Sequence, residues 1–197
     1  MAKSIKDRLL TLGAAAVVGL AAIPLSNMAV AADEFSYTKE NSKGTIHLPE
    51  SGTTHWNVDP TYFMQDYGGW LNDVVYENLQ NPTDGNQVLY INVDMNGYDE
   101  FILPSVKNPV VDGWSEESAM IGSNVLWTFY DSSKEDGAFE GTIRTGAGGF
   151  YGSVLAPKAS FLANGNVDGT VIVENFEGIQ EFHKAEFLGS QLDEKVA

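Results

Sequence analysis

Two segments of one design recur 17 residues apart: Gly152-Ser-Val-Leu-Ala156 and Gly169-Thr-Val-Ile-Val173 each place a glycine before a short apolar run. Between them lie a second apolar run, Ala159–Leu162, and a turn-rich stretch, Asn164-Gly-Asn-Val-Asp-Gly169. Hairpins are joined by only about two to five residues. A chain that returns to the same lateral position after a full circuit needs several short strands per circuit, and so a longer period. The spacing therefore favours a short β-solenoid whose coils bury their apolar side chains on the coils above and below. A β-sandwich, which also reads as many short strands between turns, is the alternative.

The rest of the second half fits a succession of short strands. Val88–Val93, Phe101–Pro104, Val125–Tyr130, Gly141–Thr145 and Ile179–Phe182 are each bounded by Gly, Asp, Ser, Asn or Pro, and Asn96-Gly97 reads as a turn. The first half differs. Asp59-Pro60 has the form of a helix start, and Tyr62, Phe63, Trp70, Leu71, Val74, Val75 and Leu79 supply a face for a flanking helix broken at Gly68-Gly69. Residues 33–58 are polar and turn-rich, with one alternating segment at Gly44–Pro49, and predict a flexible or edge lead-in. Asn81-Pro-Thr-Asp-Gly-Asn86 is a turn cluster.

The N-terminus carries Lys3, Lys6 and Arg8, then an apolar run from Leu9 to Leu25, then small residues at Ala29–Ala32. That is the layout of a secretory signal peptide cleaved after Ala31 or Ala32. The organisation expected is a signal peptide at 1–32, the lead-in at 33–58, a β-solenoid domain at 59–189 and a polar tail at 190–197. The processed chain would keep 8 basic and 26 acidic side chains, a net charge of −18. Such a surface repels nucleic acid and anionic lipid, which are bound through Lys and Arg clusters. There is no cysteine, so thiolate metal sites and sulfur redox chemistry are excluded and the fold is held without disulfides.

Four ordered motifs resemble the choice-of-anchor A family of bacterial surface domains: Val125-Leu-Trp-Thr-Phe-Tyr-Asp131, Gly152-Ser-Val-Leu-Ala-Pro-Lys-Ala159, Asn164–Val173, and Glu181-Phe-His183 through Gly189. The resemblance covers about residues 60–189 and implies a right-handed β-solenoid flanked by a helix, with an adhesive or surface-layer role. It marks Trp127, Gly152, Ala156, Pro157, Gly165, Gly169, Glu181 and His183 as structural motif residues. The chain departs from that family in showing neither a longer N-terminal part nor a C-terminal sorting signal. The Gly-Ser-Val-Leu-Ala coil is also similar to ice-binding solenoids.

Candidate chemistry is sparse. Glu181 and His183 stand two apart on a strand and so share a face, but no nucleophile accompanies them; a structural hydrogen bond locking the last coil is expected. Asn92-x-Asp94-x-Asn96-Gly97 resembles the start of a calcium loop, with Asp94, Asn96 and Asp99 as weak ligand candidates, yet Leu103 stands where a bidentate Glu is needed. Weak calcium binding is the one cofactor considered. His47, His55 and His183 have no zinc spacing. Lys107, Arg144 and Lys158 are the nearby cations for a lyase-type base, and they form no cluster in the sequence. The aromatics Trp56, Tyr62, Phe63, Tyr67, Trp70 and Trp114 are expected to cap the N-terminal end of the stack.

The function expected is that of a secreted, non-enzymatic structural or adhesive protein. It would act by binding a surface, glycan, matrix or protein ligand and by self-association, with no nucleic-acid partner and no membrane contact after signal cleavage. A carbohydrate-active enzyme on a β-helix is one alternative. An ice-binding-like protein is another, although Thr142, Thr145 and Thr170 are too few to form a regular threonine array.

Overall fold

The structure, a computed structural model, describes residues 35–79, 87–107, 122–178, 180–183, 185–187 and 189. The signal segment, the turn cluster at 81–86, Trp114, Ile179 and the polar tail lie outside the described residues. What is described is mainly β. The first strands are β1 (Ser36–Glu40), β2 (Lys43–His47), β3 (Gly52–Val58), β4 (Asp73–Glu77), β5 (Gln87–Asp94), β6 (Glu100–Leu103) and β7 (Ser105–Val106). They are followed by β8 (Val125–Tyr130), β9 (Thr142–Thr145), β10 (Phe150–Tyr151), β11 (Ser153–Ala163), β12 (Val167–Asp168), β13 (Val171–Gly178) and β14 (Phe182–His183).

Three curled sheets result, ordered β1-β2-β4-β7, β10-β12-β14 and β3-β5-β8-β11-β9-β6, with β13 added beside β11. Among the described strands only β1 and β2 pair antiparallel. The 17-residue recurrence is realised as a parallel register: Val154 lies beside Val171, Leu155 beside Ile172 and Ala156 beside Val173.

The core follows from this register. Trp56, Ile91, Trp127, Val154 and Val171 are successive partners across β3, β5, β8, β11 and β13. A second column runs through Phe101, Ile143, Phe161 and Phe176. The interior members of both columns are almost wholly buried. Parallel strands cannot be joined by hairpins, so each must be reached by a crossover, and apolar columns in register are what reward that long connection.

One expectation is corrected. The flanking helix is absent: Asp59 caps Thr61 N–H and Pro60 opens the element, but it is a single 3-10 turn, Pro60–Phe63. Gly68 and Gly69, at φ 93° and 88°, reverse the chain, and Val74, Val75 and Tyr76 enter β4 as buried strand residues. β-branched and aromatic side chains favour a pleated, half-buried surface, and the parallel neighbour β2 supplies it. The lead-in at 33–58, expected as flexible or edge, contains β1, β2 and β3, of which β1 is an edge strand.

A smaller difference concerns Ser153–Ala156 and Ala159–Leu162, which form one strand with a register shift between Ala156 and Ser160. Pro157 sits in that shift, where a residue without an N–H breaks no ladder bond.

The two ends of the stack are unlike. At the N-terminal end Tyr37, Trp56 and Phe63 pack together, with ring centroids 4.8 Å apart for Tyr37–Trp56 and 5.6 Å for Trp56–Phe63. Burial, with a smaller contribution from Tyr62, pushes the Tyr37 phenol up to about 12. Tyr67 stands 74% exposed outside this cluster. At the other end β13 pairs with β11 alone among the described strands, and Ile172, Phe176 and Phe182 are 52%, 52% and 45% exposed. Phe176 stacks on buried Phe161 at 5.8 Å and meets Phe182 edge-on at 5.6 Å, so the apolar column continues to the surface there.

Candidate functional site

The short parallel strands β10, β12 and β14 set Tyr151 beside Asp168 and Asp168 beside His183. On β10 and β12 the alternate residues Phe150 and Val167 are buried in the core, so alternation turns Tyr151 and Asp168 to the outer side of the sheet, and His183 follows by its register with Asp168. Asp168 is nevertheless buried, held between its two neighbours. His183 Nδ1 lies 2.7 Å from Asp168 Oδ1, and its Nε2 lies 3.4 Å from the exposed Glu181 carboxylate. Burial raises the Asp168 carboxyl above the ordinary range, with the His183 contact pulling the other way. Burial, then the Asp168 charge, raises the Tyr151 phenol. The imidazole therefore bridges two carboxylates, and the shorter contact is to Asp168, which the sequence reading did not single out. Its signal was its place in the Asn164–Gly169 turn, 15 residues before His183.

Next to this column is a cavity of about 310 Å³, lined in part by Tyr151, Asn164, Asn166, Asp168 and Gln180. Its floor is backbone drawn close: a Cβ on Gly165 would lie 2.2 Å from the Gly148 carbonyl oxygen. Thr145 Oγ1 accepts from the amides of Asn164 and Gly165 at 2.8 and 2.9 Å and fixes the rim.

The calcium candidates lie in a turn held by its own hydrogen bonds. Asp94 Oδ1 accepts from the amides of Asn96 and Ser132 at 3.1 and 2.9 Å, with Asn96 and Gly97 at φ 41° and 88°. Asp99 is exposed, and its carbonyl accepts from the Thr142 amide. Among the described residues no group of three or more His, Asp or Glu side chains is placed to hold a metal ion.

A second turn aspartate, Asp131, does the same work one layer on: its Oδ1 accepts from Gly97 N–H, Ser133 N–H and Ser133 Oγ at 3.1, 3.0 and 2.6 Å. Desolvation pushes its carboxyl up, but the Ser133 and Gly97 hydrogen bonds and nearby Lys134 outweigh it and hold the carboxyl below the ordinary range. A depressed folded-state pKa stabilises above the unfolded value and is lost as pH falls through the folded one. Asp131→Ala is expected to cost about 1–3 kcal/mol at neutral pH, and less below pH about 3. Urea unfolding of both proteins at the two pH values checks this.

The other motif residues are placed as follows. Trp127 is wholly buried, Ala156 is buried one step before the register shift, and Gly152 and Gly169 meet across adjacent layers, where Gly152 N–H donates to the Asp168 carbonyl at 3.0 Å. Arg144 pairs with Glu100 at 2.8 Å and Lys158 with Asp136 at 2.6 Å; both cations are engaged on the surface and do not line the cavity.

Against known proteins, the family described as "Putative Ice-binding-like adhesive domain" matches residues 5–184. No curated protein and no solved structure matches. No helix among the described residues is long and apolar enough to cross a membrane.

Proposed function

This chain belongs to the ice-binding-like adhesive domain family, and from that membership we propose that it is exported and works as a non-catalytic module attaching to a surface. The match over residues 5–184 is the observation that carries the proposal. The fold proposed with it is a short right-handed β-solenoid, in which the parallel columns are successive coils, as the choice-of-anchor A resemblance also implies. A stack of this kind offers a rigid face at little further ordering cost on binding.

Side-chain chemistry favours adhesion over ice. Outward-facing positions in register read Glu100, Thr142, Ser160, Asn175 and Ile102, Arg144, Leu162, Glu177. These columns mix charge, amide and aliphatic groups, whereas an ice-matching face needs one small residue repeated. Beads carrying the protein are expected to be retained on bacterial envelopes more than beads carrying an unrelated protein of equal charge, with no ice-crystal shaping. Equal retention, or shaped ice, would count against the reading.

Self-association is a second proposal, favoured by the exposed Ile172, Phe176 and Phe182 at the β13 end. Among the described strands β13 has no partner on its outer edge, and such an edge beside exposed apolar side chains is a template for a second copy. Glu174 and Glu177 lie on the same strand and are exposed, so two such edges repel and association should strengthen with salt. Sedimentation velocity is expected to show a dimer that grows with salt and is lost in Phe176→Ser; a monomer at every concentration and salt level rules it out.

A further inference from the structure

We propose that the cavity beside β10 and β12 binds a neutral sugar ring, which gives the adhesive reading above a ligand class and rests on it. The lining decides the class by elimination. The side chains named on its wall are a phenol, three carboxamides and one buried carboxylate, Asp168; among the described lining residues none is cationic. Phosphate, sulfate and uronate groups would meet the Asp168 carboxylate with no cationic side chain on the lining to hold them, the neighbouring His183 imidazole being engaged with Asp168 itself, on a chain of net charge −16. An apolar ligand would strand the amides of Asn164, Asn166 and Gln180 without hydrogen bonds. Calcium takes about six to eight oxygens, commonly several carboxylates, and here one carboxylate is present with one of its oxygens already 2.7 Å from His183.

A polyhydroxylated neutral ligand fits each group. Its hydroxyls donate to the Asp168 carboxylate, and both donate to and accept from the amides. The Tyr151 ring offers a face for the ring's C–H groups, and its hydroxyl a further partner. The His183 contact holds the carboxylate in place before the ligand arrives, and Asn164 is anchored through Thr145, so little ordering remains to be done on binding. The volume, about 310 Å³, lies at the small end of ligand pockets, which suits one ring better than a long chain.

The test uses the methyl glycosides of glucose, mannose and galactose as probes in saturation-transfer NMR with the intact protein. At least one is expected to bind with millimolar affinity and to weaken tenfold or more in Asn166→Ala and in Gln180→Ala, two changes at partly or fully exposed positions. Tyr151→Ala should abolish binding, and Tyr67→Ser, at an exposed position beside the N-terminal aromatic cluster, should leave it unchanged. Polysaccharides bearing the responding sugar separate a free ligand from a glycan end: retention that the methyl glycoside competes away assigns the latter, and no retention assigns the former. Absence of binding by all three probes, binding undiminished in both amide variants, or a response to calcium alone would each overturn the proposal. Loss of envelope attachment with glycoside binding intact would sink the adhesive reading and leave the sugar site standing.

Discussion

Gly169→Ala is expected to destabilise the protein by about 3 kcal/mol or more, lowering Tm by roughly 6–12 °C for a chain of this size. The added Cβ would lie 1.8 Å from the Gly152 carbonyl oxygen and 2.6 Å from its carbon. Both are backbone atoms of the adjacent layer, and they cannot retreat without opening the bonds Gly152 N–H to Asp168 C=O and Gly169 N–H to His183 C=O, 3.0 and 3.3 Å long. The cost is contact and not conformation, which a control separates: at Gly146 a Cβ meets nothing nearer than 3.6 Å, so Gly146→Ala should be close to neutral. Urea unfolding of both variants checks it. A Gly169→Ala protein within half a kilocalorie of the parent would mean that the layers are not in contact at this point.

Trp127→Ala is expected to cost about 3–5 kcal/mol, a large share of the roughly 5–15 kcal/mol that a domain commands. Trp127 is wholly buried at the middle of the longest column, between Ile91 and Val154, and its ring lies 4.9 Å from Phe63 and 6.0 Å from Phe101 by centroids. Phe63 belongs to the N-terminal aromatic cap, so the cavity left behind would loosen that end as well. Trp127→Phe keeps most of the volume and should cost less than half as much. A loss under about 1 kcal/mol for the alanine variant would show that the column repacks without it.

Much of the strand inventory was legible where apolar runs were long and sharply bounded. Val88–Val93 lies within β5, Val125–Tyr130 matches β8, and Gly141–Thr145 takes in β9 with one residue before it. The repeat was visible only once because the connections between paired strands differ in length: partners are 35 residues apart for Trp56 and Ile91, 36 for Ile91 and Trp127, 27 for Trp127 and Val154, and 17 for Val154 and Val171. A spacing that falls from 36 to 27 to 17 leaves little self-similarity to read. Two-residue strands such as β7, β10 and β12 carry no periodicity at all. The segment after Pro60 misled because a cap and a scatter of apolar residues satisfy a helical face as well as they do a strand. The choice fell to β2, whose backbone Val74, Val75 and Tyr76 complete.

The candidate site divides along the same line. Glu181 and His183 share a strand face by alternation, and the sequence shows that much. It cannot show that Asp168 and Tyr151 arrive beside His183, because those contacts depend on how many residues lie between the paired strands.

By itself, the sequence determined that this chain is acidic, cysteine-free and rich in short strands, and that Gly152 and Gly169 begin equivalent runs. Composition and local pattern carry such information without reference to distant residues. Only the tertiary structure decided that the Pro60 segment turns into a strand, that one end is closed by aromatics while β13 pairs with β11 alone among the described strands, and that a carboxylate, an imidazole and a phenol line up on one outer face. Parallel pairing joins residues far apart in the chain, and the register of that pairing is set by the packing of the whole core.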